Sequence, residues 1–178
     1  MAEFAYAALL RPVTAGDVPL LQRFHTEPGL IGLDWAGYRD PEQVTRRFAE
    51  DAYLGQENGR LMVDDGTSHS AAGFVTWVAR QFTNVRHWEI GIALLPERRG
   101  QGLGWRAQAL LCDYLFRHTP AFRLEASTHE DNLAEQHSLV KAGFQLDGII
   151  RAAEYRDGAY RSAHLYSRLR TDPAPSLP

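Results

Sequence analysis

Among its 178 residues the chain has one cysteine, Cys112, and one lysine, Lys141, and no apolar run approaches the roughly 20 residues of a membrane-spanning helix. A single thiol excludes an internal disulfide and any cysteine-rich metal centre, and it fits a reducing compartment, with the cytoplasm as the default expectation. The seven histidines form no His-Glu-x-x-His pattern, so no metal is expected. A Gly-x-Ser-x-Gly elbow is also absent, which removes one standard acyl-hydrolase reading. The opening MAEFAYAALLRP carries an acid at its third position and lacks the basic start of a secretion leader. Positive charge is not in excess: 19 basic against 22 acidic residues give a net charge of −3. Neither nucleic acid nor an anionic membrane is therefore an expected partner, because both bind clustered cations. The basic residues are eighteen arginines beside the one lysine, which reads first as compositional bias.

What remains is an ordinary soluble composition, 44% apolar and 23% charged. A chain of this length buries about 70% of its unfolded surface without staples. A single domain is expected over residues 1–170, with 171–178 as a loose tail. Thr14 to Asp17 reads as a helix start, followed by the apolar stripe Val18, Leu20, Leu21 and Phe24. Asp40-Pro41 repeats the signal for a second helix, with Val44, Phe48 and Tyr53 recurring before Gly55. Between them lies a glycine-punctuated loop, Gly32 to Tyr38, bearing Trp35 and Tyr38. Strands are expected from Arg60, broken at Asp64-Asp65-Gly66, then over Ala72 to Phe82 and Trp88 to Leu95. A helix over Trp105 to His118, a strand over Phe122 to Thr128, a helix from Asn132 to Ala142 and a hairpin turning at Asp157-Gly158 complete the order. One strand–helix–strand crossover in an otherwise antiparallel pattern defines a mixed α+β sheet.

The stretch Arg98-Arg99-Gly100-Gln101-Gly102-Leu103-Gly104 joins a strand to a helix, so its backbone N–H groups converge at a helix N-terminus, a geometry that holds phosphate. Two arginines are placed to add charge at its rim. A dinucleotide fingerprint starting at Gly100 would need glycine where Trp105 stands, and a P-loop would need lysine before serine or threonine, whereas the only lysine precedes Ala142.

This loop resembles the pyrophosphate loop of the GNAT superfamily of N-acetyltransferases, an Arg or Gln followed at set spacing by two small residues, here Arg99, Gly102 and Gly104. Ile90-Gly91-Ile92 before it, Asn132 after the next strand and Lys141-Ala142-Gly143-Phe144 beyond the next helix extend the resemblance, which spans about Leu9 to Leu169. The closing stretch, Gly148 to Arg151 and on to Tyr166, looks most like the branch of ribosomal-protein N-terminal and small-amine acetyltransferases. The resemblance implies a mostly antiparallel seven-stranded sheet with helices on both faces and a splayed central strand pair.

It further implies acetyl-coenzyme A as acyl donor, its diphosphate on the amides of Arg99 to Gly104, including Gln101 and Leu103, and its thioester beside the backbone of Ile92, Ala93 or Leu94. Asn132 would meet the pantetheine arm or cap a helix, and Lys141 would reach a phosphate or stay solvated. The acceptor would be a primary amine, a small molecule or a protein N-terminus, attacking directly in a ternary complex, and the resemblance leaves room for a homodimer. A non-catalytic coenzyme A or acyl-coenzyme A sensor, or a partner-recognition module, is the alternative.

The attacking amine must be free and the leaving thiolate needs a proton. Glu89 is the expected base: alternation puts His87, Glu89, Gly91 and Ala93 on one strand face and Trp88, Ile90, Ile92 and Leu94 on the other. A structural ion pair is its other role. Glu125, a carboxylate in an otherwise apolar strand, is the rival base, with Arg123 as an equally good structural partner. Many members of the superfamily carry tyrosine where Leu139 stands and many of the branch carry serine where Glu135 stands, so the acid is open between water and other groups, with Ser138 one residue away. Trp35, Tyr38, Phe82 and Trp88 mark an aromatic-rich acceptor region, unless they pack individually.

Overall fold

The computed structural model describes residues 9–65 and 70–177. The opening up to residue 8 and Gly66 of the first strand break lie outside the described residues. Strand β1 (Leu10–Pro12) leads to helices α1 (Val18–Thr26), α2 (Pro28–Ile31) and α3 (Glu42–Asp51). Then come β2 (Asn58–Asp64), β3 (Ala71–Phe82), β4 (Val85–Leu94), α4 (Leu103–His118), β5 (Arg123–His129), α5 (Leu133–Lys141), β6 (Gln145–Arg156) and β7 (Ala159–Leu169). The strands form one seven-stranded sheet in the order β1-β2-β3-β4-β5-β7-β6, antiparallel except for the β4–β5 pair. This is the mixed α+β fold expected, with β1 and the four-residue α2 added: three residues ending at Pro12 give too short a period to read, and α2 begins at the Pro28-Gly29 pair that reads as a stop.

Local signals account for the boundaries. The Asp17 carboxylate accepts from the Thr14 backbone N–H at 2.8 Å and from its hydroxyl at 2.7 Å, closing the turn that starts the first helix. Asp40 accepts from the Glu42 amide at 2.9 Å ahead of α3. That helix stops at Asp51, earlier than the Gly55 signal, because Ala52 and Tyr53 take left-handed conformations at φ 49° and 64°. Asp157 and Gly158, at φ 50° and 77°, make the tight β6–β7 turn.

Alternation along the strands builds two cores. One face carries Leu61, Val63, Val75, Trp77, Ile90 and Leu124 against Ala107, Leu111, Cys112 and Leu115 of α4. Burial pushes the Cys112 thiol up to about 12, so this residue is a packed hydrophobe. The opposite face sets Met62 and Phe74 against Leu21 and Phe24 of α1, Leu30 of α2 and Val44 of α3. Among the described residues beyond β7 there is no helix or strand, and the Asp172 carboxylate accepts from the Leu169 amide at 2.8 Å. Among the described residues no helix is long and apolar enough to cross a membrane, and no group of His, Cys, Asp and Glu side chains is arranged to hold a metal ion.

Candidate active site

The site exists because one strand pair is incomplete. Strands β4 and β5 are partnered only at Trp88 with Leu124 and Glu89 with Glu125. Past that point β4 stays on β3 as far as Leu94, and β5 stays on β7 as far as His129. The facing edges therefore diverge and open a cleft of about 1070 Å³. Ile92, Ala93 and Leu94 line it from β4, Ser127 and His129 from β5, and Gly100, Gly102 and Gly104 from the loop that enters α4.

In that loop Gly100 and Gly102 adopt φ 71° and 74°, a region that side chains resist. Their amides, and that of Gln101, donate to nothing among the described residues, and the first-turn amides of α4 have no intrahelical partner by geometry. The carbonyls are engaged instead: Arg106 donates to Gly102 O at 3.0 Å and to Gln101 O at 3.1 Å. The free polarity of the loop is thus N–H, suited to an anion. At Gly104 a Cβ would sit 3.2 Å from the Ser138 hydroxyl, so any side chain would fill the cradle. These features fit a diphosphate.

Of the two arginines read as a charged rim, Arg99 lines the cleft and Arg98 does not. Arg98 pairs with Asp65 at 3.1 Å, while Arg99 donates to Leu94 O at 3.0 Å and to Leu30 O at 2.5 Å. Arg99 thereby clamps α2 to the end of β4. The Gln101 side chain turns away to Glu97 O at 2.9 Å, and the Leu103 side chain is core, so these two bring only backbone to the loop.

The two candidate glutamates part company. Glu89 lines the cleft, its carboxylate held by Arg80 at 2.6 Å and by the Ser127 hydroxyl at 3.2 Å. Glu125 does not line it. Its carboxylate is buried between His87 Nε2 at 2.9 Å and Arg123 Nε at 2.8 Å, and Phe82 stacks on His87 with 4.9 Å between ring centres. The rival base is thereby corrected: the side chains of His87 and Arg123 enclose Glu125.

Helix α5 forms the far wall. Asn132 lines the cleft and caps the helix, accepting from the Glu135 amide at 3.2 Å, and Lys141 lines it from the other end. Leu139 is fully buried, but Glu135 faces the cleft. Burial lifts its carboxyl to about 8, against a hydrogen bond from Gln108 that favours the anion, and nearby Asp34 lifts it further. Gln108, fully buried, also accepts from the Ser138 hydroxyl at 2.8 Å. The Asp34 carboxyl is raised too, chiefly by burial. Sequence reasoning met Glu135 only as a departure from a pattern; no local signal announces the Gln108 partner 27 residues earlier.

On the acceptor side Trp35 lines the cleft and packs edge-on against Tyr38 at 5.4 Å. Tyr38 itself is 79% exposed and outside the cleft, and Phe82 and Trp88 are outside it as well, Trp88 being core. The residue that sequence reading missed is Arg60, read only as the start of a strand. It lines the cleft beside Phe74, and its burial lowers the guanidinium to about 10.

Comparison with known proteins places this geometry. The family model described as an acetyltransferase (GNAT) domain matches residues 8–145. Spermidine N(1)-acetyltransferase of Escherichia coli (strain K12) is 24% identical over 161 residues, 89% of this chain and 84% of that protein. The crystal structure of spermidine N-acetyltransferase from Vibrio cholerae in complex with CoA and spermine superposes with a TM-score of 0.80 at 17% identity, covering 92% of this chain and 95% of that one. Ribosomal-protein-S5-alanine acetyltransferase from Vibrio fischeri gives 0.78 at 20% identity, over 92% and 93%.

Proposed function

The chain belongs to the GNAT acetyltransferase family, and on that premise we propose that it transfers an acetyl group from acetyl-coenzyme A to a primary amine by direct attack in the β4–β5 cleft. One observation carries the reading: the unpartnered amides of Gly100 to Gly102 stand at the mouth of the same cleft into which Glu89 projects. Coenzyme binding is supported by the bare loop, by Gly104, and by CoA in the complex of the Vibrio cholerae relative.

Acetyl-coenzyme A supplies the thioester. Loop amides hold its diphosphate, and the unpaired edge of β4 from Ile92 to Leu94 orients its acyl end. Glu89, fixed by Arg80 and Ser127, takes a proton from the incoming ammonium directly or through one water. The amine nitrogen then bonds to the acetyl carbon as the carbon–sulfur bond breaks, and the thiolate is protonated. Glu135, which holds its proton near neutrality on the facing wall, is the acid we assign. Positioning and fixed dipoles supply most of the rate.

Thermal unfolding with and without acetyl-coenzyme A tests the first half: at 100 times its dissociation constant the donor adds about 2.7 kcal/mol to stability. Thiol release over amine and peptide acceptors tests the second. No thermal rise overturns the reading, and a rise without thiol release from any acceptor leaves the binding-protein alternative in its place.

A further inference from the structure

Arg60 is a cation in the wall of the cleft with no anionic partner among the described residues. Among the described residues its guanidinium makes no hydrogen bond and no ion pair, and its Nε is buried with no partner. Three other cleft arginines are held by acceptors, Arg80 by Glu89, Arg99 by two carbonyls and Arg156 by Glu154 at 2.5 Å, although Nε and one terminal nitrogen of Arg156 are buried without a partner. The charged groups acting on Arg60 besides the Tyr53 phenol are the cations Arg39 and Arg47, and Arg47 is already paired with Asp51 at 2.6 Å. Two rings pack against the guanidinium, Phe74 at 4.2 Å and Tyr53 at 4.5 Å from its central carbon to the ring centres. A guanidinium packed on rings, with no acceptor among the described residues, keeps N–H groups for a forked acceptor.

Register connects this cation to the chemistry. Arg60 is opposite Thr76, and Thr76 is opposite Gly91, so the three share one sheet face with Glu89, two residues from Gly91. Two strand spacings separate the backbones of Arg60 and Gly91, about 10 Å. Arg39 lies at the rim of the same cleft.

We propose that the acceptor amine also carries a carboxylate, bound by Arg60 with Arg39 at the rim, while its amino group meets Glu89. This deepens the acetyltransferase reading and rests on it. An amino acid-like acceptor neutralises the buried cation; a polycation brought to the same place meets like charge.

The test is a ladder of ω-amino acids from β-alanine to ε-aminohexanoate, each compared with the alkylamine and the diamine of equal chain length, by thiol release and by thermal shift of the acetyl-coenzyme A-bound protein. The best amino acid is expected to exceed its alkylamine about 100-fold in kcat/KM, with the diamine poorest, and to give the larger thermal shift. In Arg60→Gln that ratio falls towards one. Should Arg60→Gln fail to fold, Arg39→Gln lowers the ratio about threefold to tenfold, and the wild-type ladder decides without any variant. An alkylamine or diamine that matches the amino acids in both readouts overturns the inference and leaves the acetyltransferase reading standing. Absence of both donor stabilisation and thiol release instead removes the reading beneath it.

Discussion

Glu89 and Glu125 are the same residue type, on the same sheet face, opposite each other across the parallel β4–β5 pair, and they mark the border between a closed half of that pair and an open one. In the closed half Glu125 joins His87 and Arg123, Arg123 reaches Asp147 at 2.5 Å, and Asp147 accepts from Ser167 at 2.9 Å. In the open half Glu89 keeps 30% of its side chain exposed, beside Arg80 at 53%. The side chains packed around it, not residue type, decide whether a carboxylate here is structural or available to a substrate. The lesson extends to the arginines: Arg123 in the closed half is fully matched, while Arg60 on the open face is not.

The strongest way to break this comparison is Glu125→Ala. It leaves His87 and Arg123 without their shared anion and is expected to lower stability by about 3 kcal/mol while kcat/KM stays within about threefold, by denaturant unfolding and steady-state rates. A stable variant that has lost turnover would transfer the chemistry to the closed half. Glu89→Gln is the mirror experiment. It is expected to reduce kcat about 100-fold with the KM for acetyl-coenzyme A unchanged, and to alter stability by less than about 1 kcal/mol because its ion pair is exposed. Unchanged turnover at neutral pH moves the base elsewhere.

How much of this was legible follows the same division. The element order, the loop and Asn132 were readable because each depends on local grammar: a period, a cap, glycines at a strand-to-helix junction. Alternation also placed Glu89 correctly, since a face is a local property of a strand. What the sequence left open are partners: Arg99 finds Leu30 O from 69 residues away, and Glu125 finds His87 from 38. Tyr38 and Trp35 are neighbours in sequence and in space, yet only Trp35 meets the cleft, because the short helical turn at Gly32–Asp34 directs the loop in a way that no spacing announces. Arg60 was missed for a related reason. An arginine at the start of a strand reads as solvated, and only the packing of Phe74 and Tyr53 against it reveals an interior cation.

The smallest expected effect sharpens the comparison within the open half, between Glu89 and Glu135. Glu135 has a carboxyl raised from 4.5 to about 8 by burial, so between those values the folded chain keeps a proton that the unfolded chain releases. Stability therefore falls as pH rises through that window, and the full loss is present above about 8. Glutamine at 135 imitates the protonated form and removes the loss. Glu135→Gln is expected to match the wild type below pH 4.5 and to exceed it increasingly up to pH 8, by a difference on the order of one or a few kcal/mol. The same variant has no proton to give the thiolate, so the alkaline decline of kcat expected of the wild type above about pH 8 should vanish at a lower plateau. Parallel stability curves across the window would place the Glu135 carboxylate in contact with water, and the open half of the sheet would then have a base and no protein-derived acid.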